Sequence, residues 1–228
     1  MSPRWLLHTQ LLDSAFPIGA FSHSFGLETL IQENQVSTHT ELQTYCETML
    51  RGAWAPCDAL AIKAVYEWVP RGRFDELWEF DVALHLSRSA RESRAGVRKM
   101  GKRLLETGRA VHPTLNWLPL IEAIGQGRAI GVYPIVYGWA CYHLQISLEH
   151  TAMGLLYANL SSTVNNATRA MRIGQTQAQS VIVAILPQIE PAWREVEHLD
   201  PWDFETGVPG SDIAAMRHET LYSRLFMS

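Results

Sequence analysis

The sequence predicts an all-α protein: a compact, single-domain bundle of roughly ten helices. Three observations carry that prediction. Apolar residues recur at three- and four-residue intervals through most of the 228 residues. Capping residues and Pro/Gly stops punctuate those runs at lengths suited to helices. The one β-branched run, Val181 to Leu186, has no strand to pair with, because Pro134 interrupts its only apolar rival. No repeat, low-complexity tract or interdomain linker breaks the chain, so residues 1–228 are expected to act as one domain.

A first helix from Trp5 to Leu12 is expected to end near Asp13, since Pro17 pushes Phe16 out of the α region. Gly19 permits a turn, and Ser22 or Ser24 can cap a second helix through Leu27, Leu30 and Ile31. Thr38 and Glu41 form a capping box, followed by Leu42, Tyr45, Cys46, Met49, Leu50 and Ala53 on one face. Trp54-Ala-Pro56 is expected to end that helix, with Asp58 capping another that stops before Pro70. Phe74, Leu77 and Trp78 start an amphipathic segment, and Ser87 to Leu105 is a basic helix. Gly108 to Asn116 reads as a loop, and a short helix then fades at Gly125-Gln-Gly127. Tyr133 opens an apolar helix, Thr151 to Arg172 gives a long one, and Val181 to Leu186 is helical. Glu190 to His198 adds a turn or two, and Asp200 to Asp212 reads as loop before the tail.

Composition narrows the function. With 47% hydrophobic and 18% charged residues the chain is globular. A net charge of −4 argues against a protein built to bind nucleic acid. Three cysteines, Cys46, Cys57 and Cys141, leave one unpaired and fit a reducing cytoplasm. Trp5, Leu6 and Leu7 are too short a run for a signal-peptide core, and Ala129 to Cys141 falls short of a membrane span. A cytoplasmic protein with no membrane partner is expected.

Catalytic signatures are weak. Gly96 to Lys102 matches a phosphate-binding P-loop until Arg103 stands where a hydroxyl residue must hold magnesium, and no strand precedes it. The histidines are dispersed, without HExxH or CxxC. Cys141 and His143 on an apolar helix suit a core better than a metal, so neither metal nor cofactor is assigned. No Gly-x-Ser-x-Gly elbow occurs. Interaction surfaces are better represented. Arg91, Arg94, Arg98 and Lys102 share one helix face, which suits a solvated surface or a protein partner; nucleic acid ranks third, without interleaved aromatics. The tail combines Leu221, Tyr222, Leu225, Phe226 and Met227 with Arg217 and Arg224, the residue types of interface hot spots. A terminal helix docked on its own core would use the same residues.

Several blocks resemble the UreF family of urease accessory proteins. The first is Phe16-Pro-Ile-Gly-Ala-Phe21-Ser-His-Ser-Phe-Gly-Leu-Glu28. Arg91-Glu92-x-Arg94 with Met100-Gly101 and Leu104-Leu105 is the second, and Tyr133-Pro134-Ile-Val-Tyr-Gly138 the third. Asn166-Ala-x-Arg169 with Gly174-Gln175-Thr176 and Gln179 is the fourth. The fifth is the tail, Arg217-His218-Glu219 through Tyr222-Ser223-Arg224-Leu225-Phe226 to Ser228. The resemblance implies an all-α, non-enzymatic scaffold that forms a homodimer and binds UreD/UreH. The combined surface recruits and regulates the GTPase UreG, and the complex delivers nickel to apo-urease. It further implies partner-binding roles for Phe21, Arg169, Tyr222, Arg224 and Phe226. Many relatives carry Tyr at the position of Phe21 and Pro at that of Arg172. A nucleotide-binding enzyme and a free-standing nickel chaperone are the alternative classes.

Overall fold

The computed structural model describes residues 3–228, and among them there is no β-strand. Eleven α-helices account for most of the described residues. The first four are α1 (Arg4–Leu12), α2 (Leu27–Gln32), α3 (His39–Met49) and α4 (Leu60–Trp68). Next come α5 (Phe74–Ser87), α6 (Arg91–Val111), α7 (Leu118–Gly125) and α8 (Tyr133–His143). The series closes with α9 (Leu148–Ala170), α10 (Gln175–Val196) and α11 (Pro209–His218). The all-α expectation is met, including the β-branched run, which lies inside α10 with Val181, Ile182 and Ile185 buried.

Helices α4 and α8 form the centre. From Leu60 to Val65 every residue of α4 is buried, as is every residue of α8 from Tyr133 to Cys141. A helix apolar on all sides has to be surrounded, and α4, α6 and α9 all pack on α8. Two close approaches set the spacing. A Cβ on Gly101 of α6 would lie 2.0 Å from the Gly131 carbonyl oxygen, and one on Gly138 of α8 would touch Ile62 at 3.2 Å. Asp81, fully buried in α5, fixes the entry to α8 by accepting the Ile130, Gly131 and Val132 amides at 2.6, 2.7 and 3.0 Å.

Local chemistry departs from expectation at several points. Pro56 does not end a helix: α3 and α4 are joined by a π-helical stretch, Leu50–Ala59. A proline displaces the carbonyl four residues before it, here that of Gly52. That oxygen instead accepts the Gly207 amide at 2.7 Å, and the Pro56 oxygen accepts Glu205 at 3.3 Å. Asp58 caps nothing; it is buried, ion-paired with Arg88, and accepts from Asn159 at 3.0 Å. Neither Ser22 nor Ser24 caps α2, which starts from Gly26 at φ 96°. Helix α6 runs through the expected loop to Val111, because a Cβ-less Gly108 admits the Trp117 ring. Helix α10 continues past Pro187 and Pro191 to Val196. Both prolines, and the residues four before them, lie on the exposed face, where water can satisfy the freed carbonyls. The segment after Asp200 holds a short 3-10 turn, Pro201–Asp203, and then α11 rather than uninterrupted loop. The Thr38–Glu41 capping box forms as expected.

Candidate functional site

The sequence ends far from where it starts, yet the tail returns to the first aromatic turn. After α11 the chain is not helical. Ser228 is buried, and its carbonyl oxygen accepts the Ser24 and Phe25 amides and the Ser24 hydroxyl, the last at 2.8 Å. The Ser228 hydroxyl meets His23 Nδ1 at 2.8 Å, and the Met227 amide donates to the Ser22 carbonyl at 2.8 Å. Ser24 therefore serves the tail instead of capping α2.

Beneath this clasp lies a polar core of residues from three of the sequence blocks. Glu28 is 3% exposed and accepts the amides of Leu225 at 2.7 Å and Phe226 at 3.1 Å. His218, with no exposed surface, sits between two carboxylates: Nε2 is 2.9 Å from Glu28 and Nδ1 2.7 Å from Glu92. Each ring nitrogen therefore has a carboxylate oxygen within hydrogen-bond reach. The other Glu92 oxygen accepts from Arg224 at 2.7 Å. Burial works against ionisation of Glu92, but the hydrogen bonds and charges of His218 and Arg224 outweigh it and hold its carboxyl low. These three groups, of which Glu28 and His218 are buried and Glu92 half-buried, were not singled out from sequence. The signal was the presence of Glu28, Glu92 and His218 inside the three blocks that carry the resemblance.

The residues expected to bind partners divide into two kinds. Phe226 is buried, and the Arg169 guanidinium stacks 4.8 Å from its ring centroid while donating to the Phe21 carbonyl. Arg224 and Arg169 thus hold the tail and the turn in place, while part of each side chain still reaches solvent. Tyr222 is fully exposed, and the Phe21 side chain is 64% exposed. Leu225 and Met227 add apolar area beside them, and α11 presents Ile213 and Met216. In the tail Phe226 and Ser228 are buried, whereas residues 222–225 and Met227 are exposed. The tail is not the terminal helix that docking was expected to need.

The basic stripe is less uniform than its spacing. Arg91 bridges to Glu219 at 2.8 Å, extending α6 toward the tail. Arg94 donates to the Arg88 and Ser89 carbonyls at 2.6 and 2.9 Å. Lys102 pairs with Glu106 at 3.8 Å, and Arg98 is exposed without an ion pair among the described residues. Gly96 and Gly101, the ends of the P-loop-like match, are packing sites inside α6 against His23, Phe25 and the Gly131 backbone. Cys141 is fully buried, and burial pushes its thiol up to about 12. All three cysteines are free and buried. No described helix is long and apolar enough to cross a membrane.

Comparison with known proteins places this geometry. The UreF family model matches residues 36–186. A protein of Lachnoclostridium phytofermentans named urease accessory protein UreF is 36% identical over 219 residues, covering 96% of each chain. Proteins of the same name from Bacillus sp. strain TB-90 and Arthrobacter sp. strain FB24 are 36% and 34% identical over 219 residues, with 96% of this chain covered in both and 96% and 95% of theirs. With the family model covering most of the chain and such relatives nearly all of it, the chain belongs to the UreF family of urease accessory proteins.

Proposed function

We propose that the chain works in urease maturation as a cytoplasmic, non-catalytic scaffold, all of residues 1–228 forming one unit with a functional tail at about 213–228. As a homodimer it binds UreD/UreH, and the combined surface recruits and regulates UreG during nickel insertion into apo-urease. The observation that supports this most is the clasp itself. Hydrogen bonds to the buried Glu28 carboxylate fix a tail whose exposed side chains include Tyr222, Leu225 and Met227, next to an exposed Phe21. Solvent-facing aromatics held rigidly lose little entropy on docking, and with the flanking Arg169 and Arg224 they match the composition of interface hot spots.

Tyr222 gives the cleaner test, because its side chain makes no described hydrogen bond and is fully exposed. Tyr222→Ala should change stability by less than about 0.5 kcal/mol. It should also weaken binding to the UreD/UreH and UreG partners by tenfold or more, about 1.4 kcal/mol. Isothermal titration with purified partners measures this. Unaltered affinity would remove the tail face from the assembly.

A further inference from the structure

The second half of α6 carries charge of almost one sign. From Val97 to Val111 it has Arg98, Lys99, Lys102, Arg103 and Arg109 against Glu106 alone, a net charge of +4 in a chain of −4. All six residues are exposed. Glu106 lies 3.8 Å from Lys102 and 3.3 Å from Arg103, while Arg98, Lys99 and Arg109 have no ion pair among the described residues. A solvated helix face gains from opposite charges three or four residues apart and loses from like ones. Arg194 on α10 follows that rule, with Glu149, Glu190 and Glu197 around it. On α6, Arg98 and Lys102, and likewise Lys99 and Arg103, stand four residues apart with the same sign. Helix stability does not account for that arrangement. The field is felt on α5 as well: burial, and then the charges of Arg94, Arg98 and Arg88, lower the pKa of His85, with no carboxylate offsetting them.

Position gives this charge a use. The same helix begins in the clasp, where Glu92 holds His218 and Arg224 and where Arg91 reaches Glu219. At about 1.5 Å per residue, Arg98 lies about 9 Å along the axis from Glu92, and Arg109 about 26 Å. A protein seated on Tyr222 need not touch these cations, yet it arrives through their field. That field reaches about 8 Å in physiological salt and further at lower ionic strength. Exposed ion pairs add little affinity once formed. A patch of one sign instead raises the rate at which an oppositely charged partner finds its site.

We propose that α6 from Arg98 to Arg109 is a steering surface, which speeds the docking of a partner protein whose facing surface is acidic and adds little to the docked complex. The steering surface rests on the scaffold role proposed above and adds to it the chemistry of the partner's face. Nucleic acid fits less well, because the chain is net negative and no aromatic side chain lies among the cations to stack a base.

Stopped-flow association of the full chain with purified UreD/UreH, and separately with UreG, reads the rate directly. Arg98→Glu/Arg109→Glu reverses two exposed cations that hold no ion pair, so the fold should be retained. Arg51→Glu/Arg71→Glu makes the same change of charge away from α6. In about 0.01 M salt, where screening extends over about 30 Å, the α6 variant should associate with at least one partner about tenfold more slowly than the wild type. Its dissociation rate should stay within about twofold, and in about 1 M salt the two association rates should converge. A partner that binds the wild type but associates as fast with the α6 variant, or is slowed as much by the control, would overturn the steering surface and leave the scaffold role standing. A change confined to the dissociation rate would overturn it too, by making α6 a contact surface. Failure of both partners to bind the wild type would remove steering and scaffold together. Weaker binding of a short DNA duplex by the α6 variant, with both protein association rates unchanged, would assign the face to nucleic acid instead.

Discussion

His218 shows how single residues hold the candidate surface. Its ring fills a site with no solvent contact and bridges Glu28, which carries the tail amides, to Glu92, which carries Arg224. Removing one member of a buried charged cluster leaves its partners uncompensated. His218→Ala should therefore cost about 2–4 kcal/mol. It should also speed amide exchange at Leu225 and Phe226, the two amides that Glu28 accepts. Exchange at those amides unchanged from the wild type would show that the tail is held by other means. His23 adds a pH dependence. Burial, with Lys99 adding repulsion and Glu92 opposing, lowers its pKa to about 4. The folded pKa lies below the unfolded value near 6.5, so the contribution is complete above about pH 6.5. It is lost as the pH falls toward 4, by up to about 3 kcal/mol, because the unfolded chain takes up a proton that the folded one excludes. His23→Asn should flatten the fall in Tm between pH 7 and pH 4.5. Parallel curves for the two proteins would contradict that assignment.

At the scale of elements, helix packing at α6 and α8 depends on glycine. Gly101→Ala would press a methyl into the Gly131 carbonyl, with Tyr133 N at 2.9 Å. Backbone cannot yield as a side-chain tip does, so a loss of about 2–3 kcal/mol is expected. Gly125 has no atom within 4 Å of such a Cβ and no positive φ, and Gly125→Ala should be neutral or slightly stabilising. Thermal melts of the pair separate a packing role from a general intolerance of substitution; equal Tm values would refute the close contact. Most elements were legible because their signals are local: the Thr38–Glu41 box, the α5 start after Gly72, and the helical reading of Val181 to Leu186 all stand. The errors arose where a distant segment altered a local rule. Pro56 reads as a stop until Gly207 supplies the donor for the Gly52 carbonyl. The separate readings of Val181 to Leu186 and Glu190 to His198 join into one helix because Pro187 and Pro191 lie on the wet side of α10. Nothing near Ser24 in sequence indicates that its hydroxyl will meet Ser228.

For the whole molecule, the family was legible from ordered blocks, whereas the geometry that joins them was not. Glu28, Glu92 and His218 are separated by most of the chain, and no periodicity relates them; only folding shows that they form one network. Similarly, Arg91, Arg94, Arg98 and Lys102 share a helix face by spacing, but Arg91 pairs with Glu219 just after α11, Arg94 with the backbone before α6 and Lys102 within α6, while Arg98 has no ion pair among the described residues. The clasp buries Phe226 and Ser228 and leaves Tyr222, Leu225 and Met227 exposed. The scaffold reading stands or falls on assembly. The most direct measurement is size-exclusion chromatography with light scattering on the chain alone, and then mixed with UreD/UreH and UreG from the same source, with and without GTP and nickel. A dimer that shifts to a defined larger complex with both partners, and fails to do so as Tyr222→Ala, is the expected result. A chain whose mass is unchanged by either partner under every condition would contradict the scaffold role.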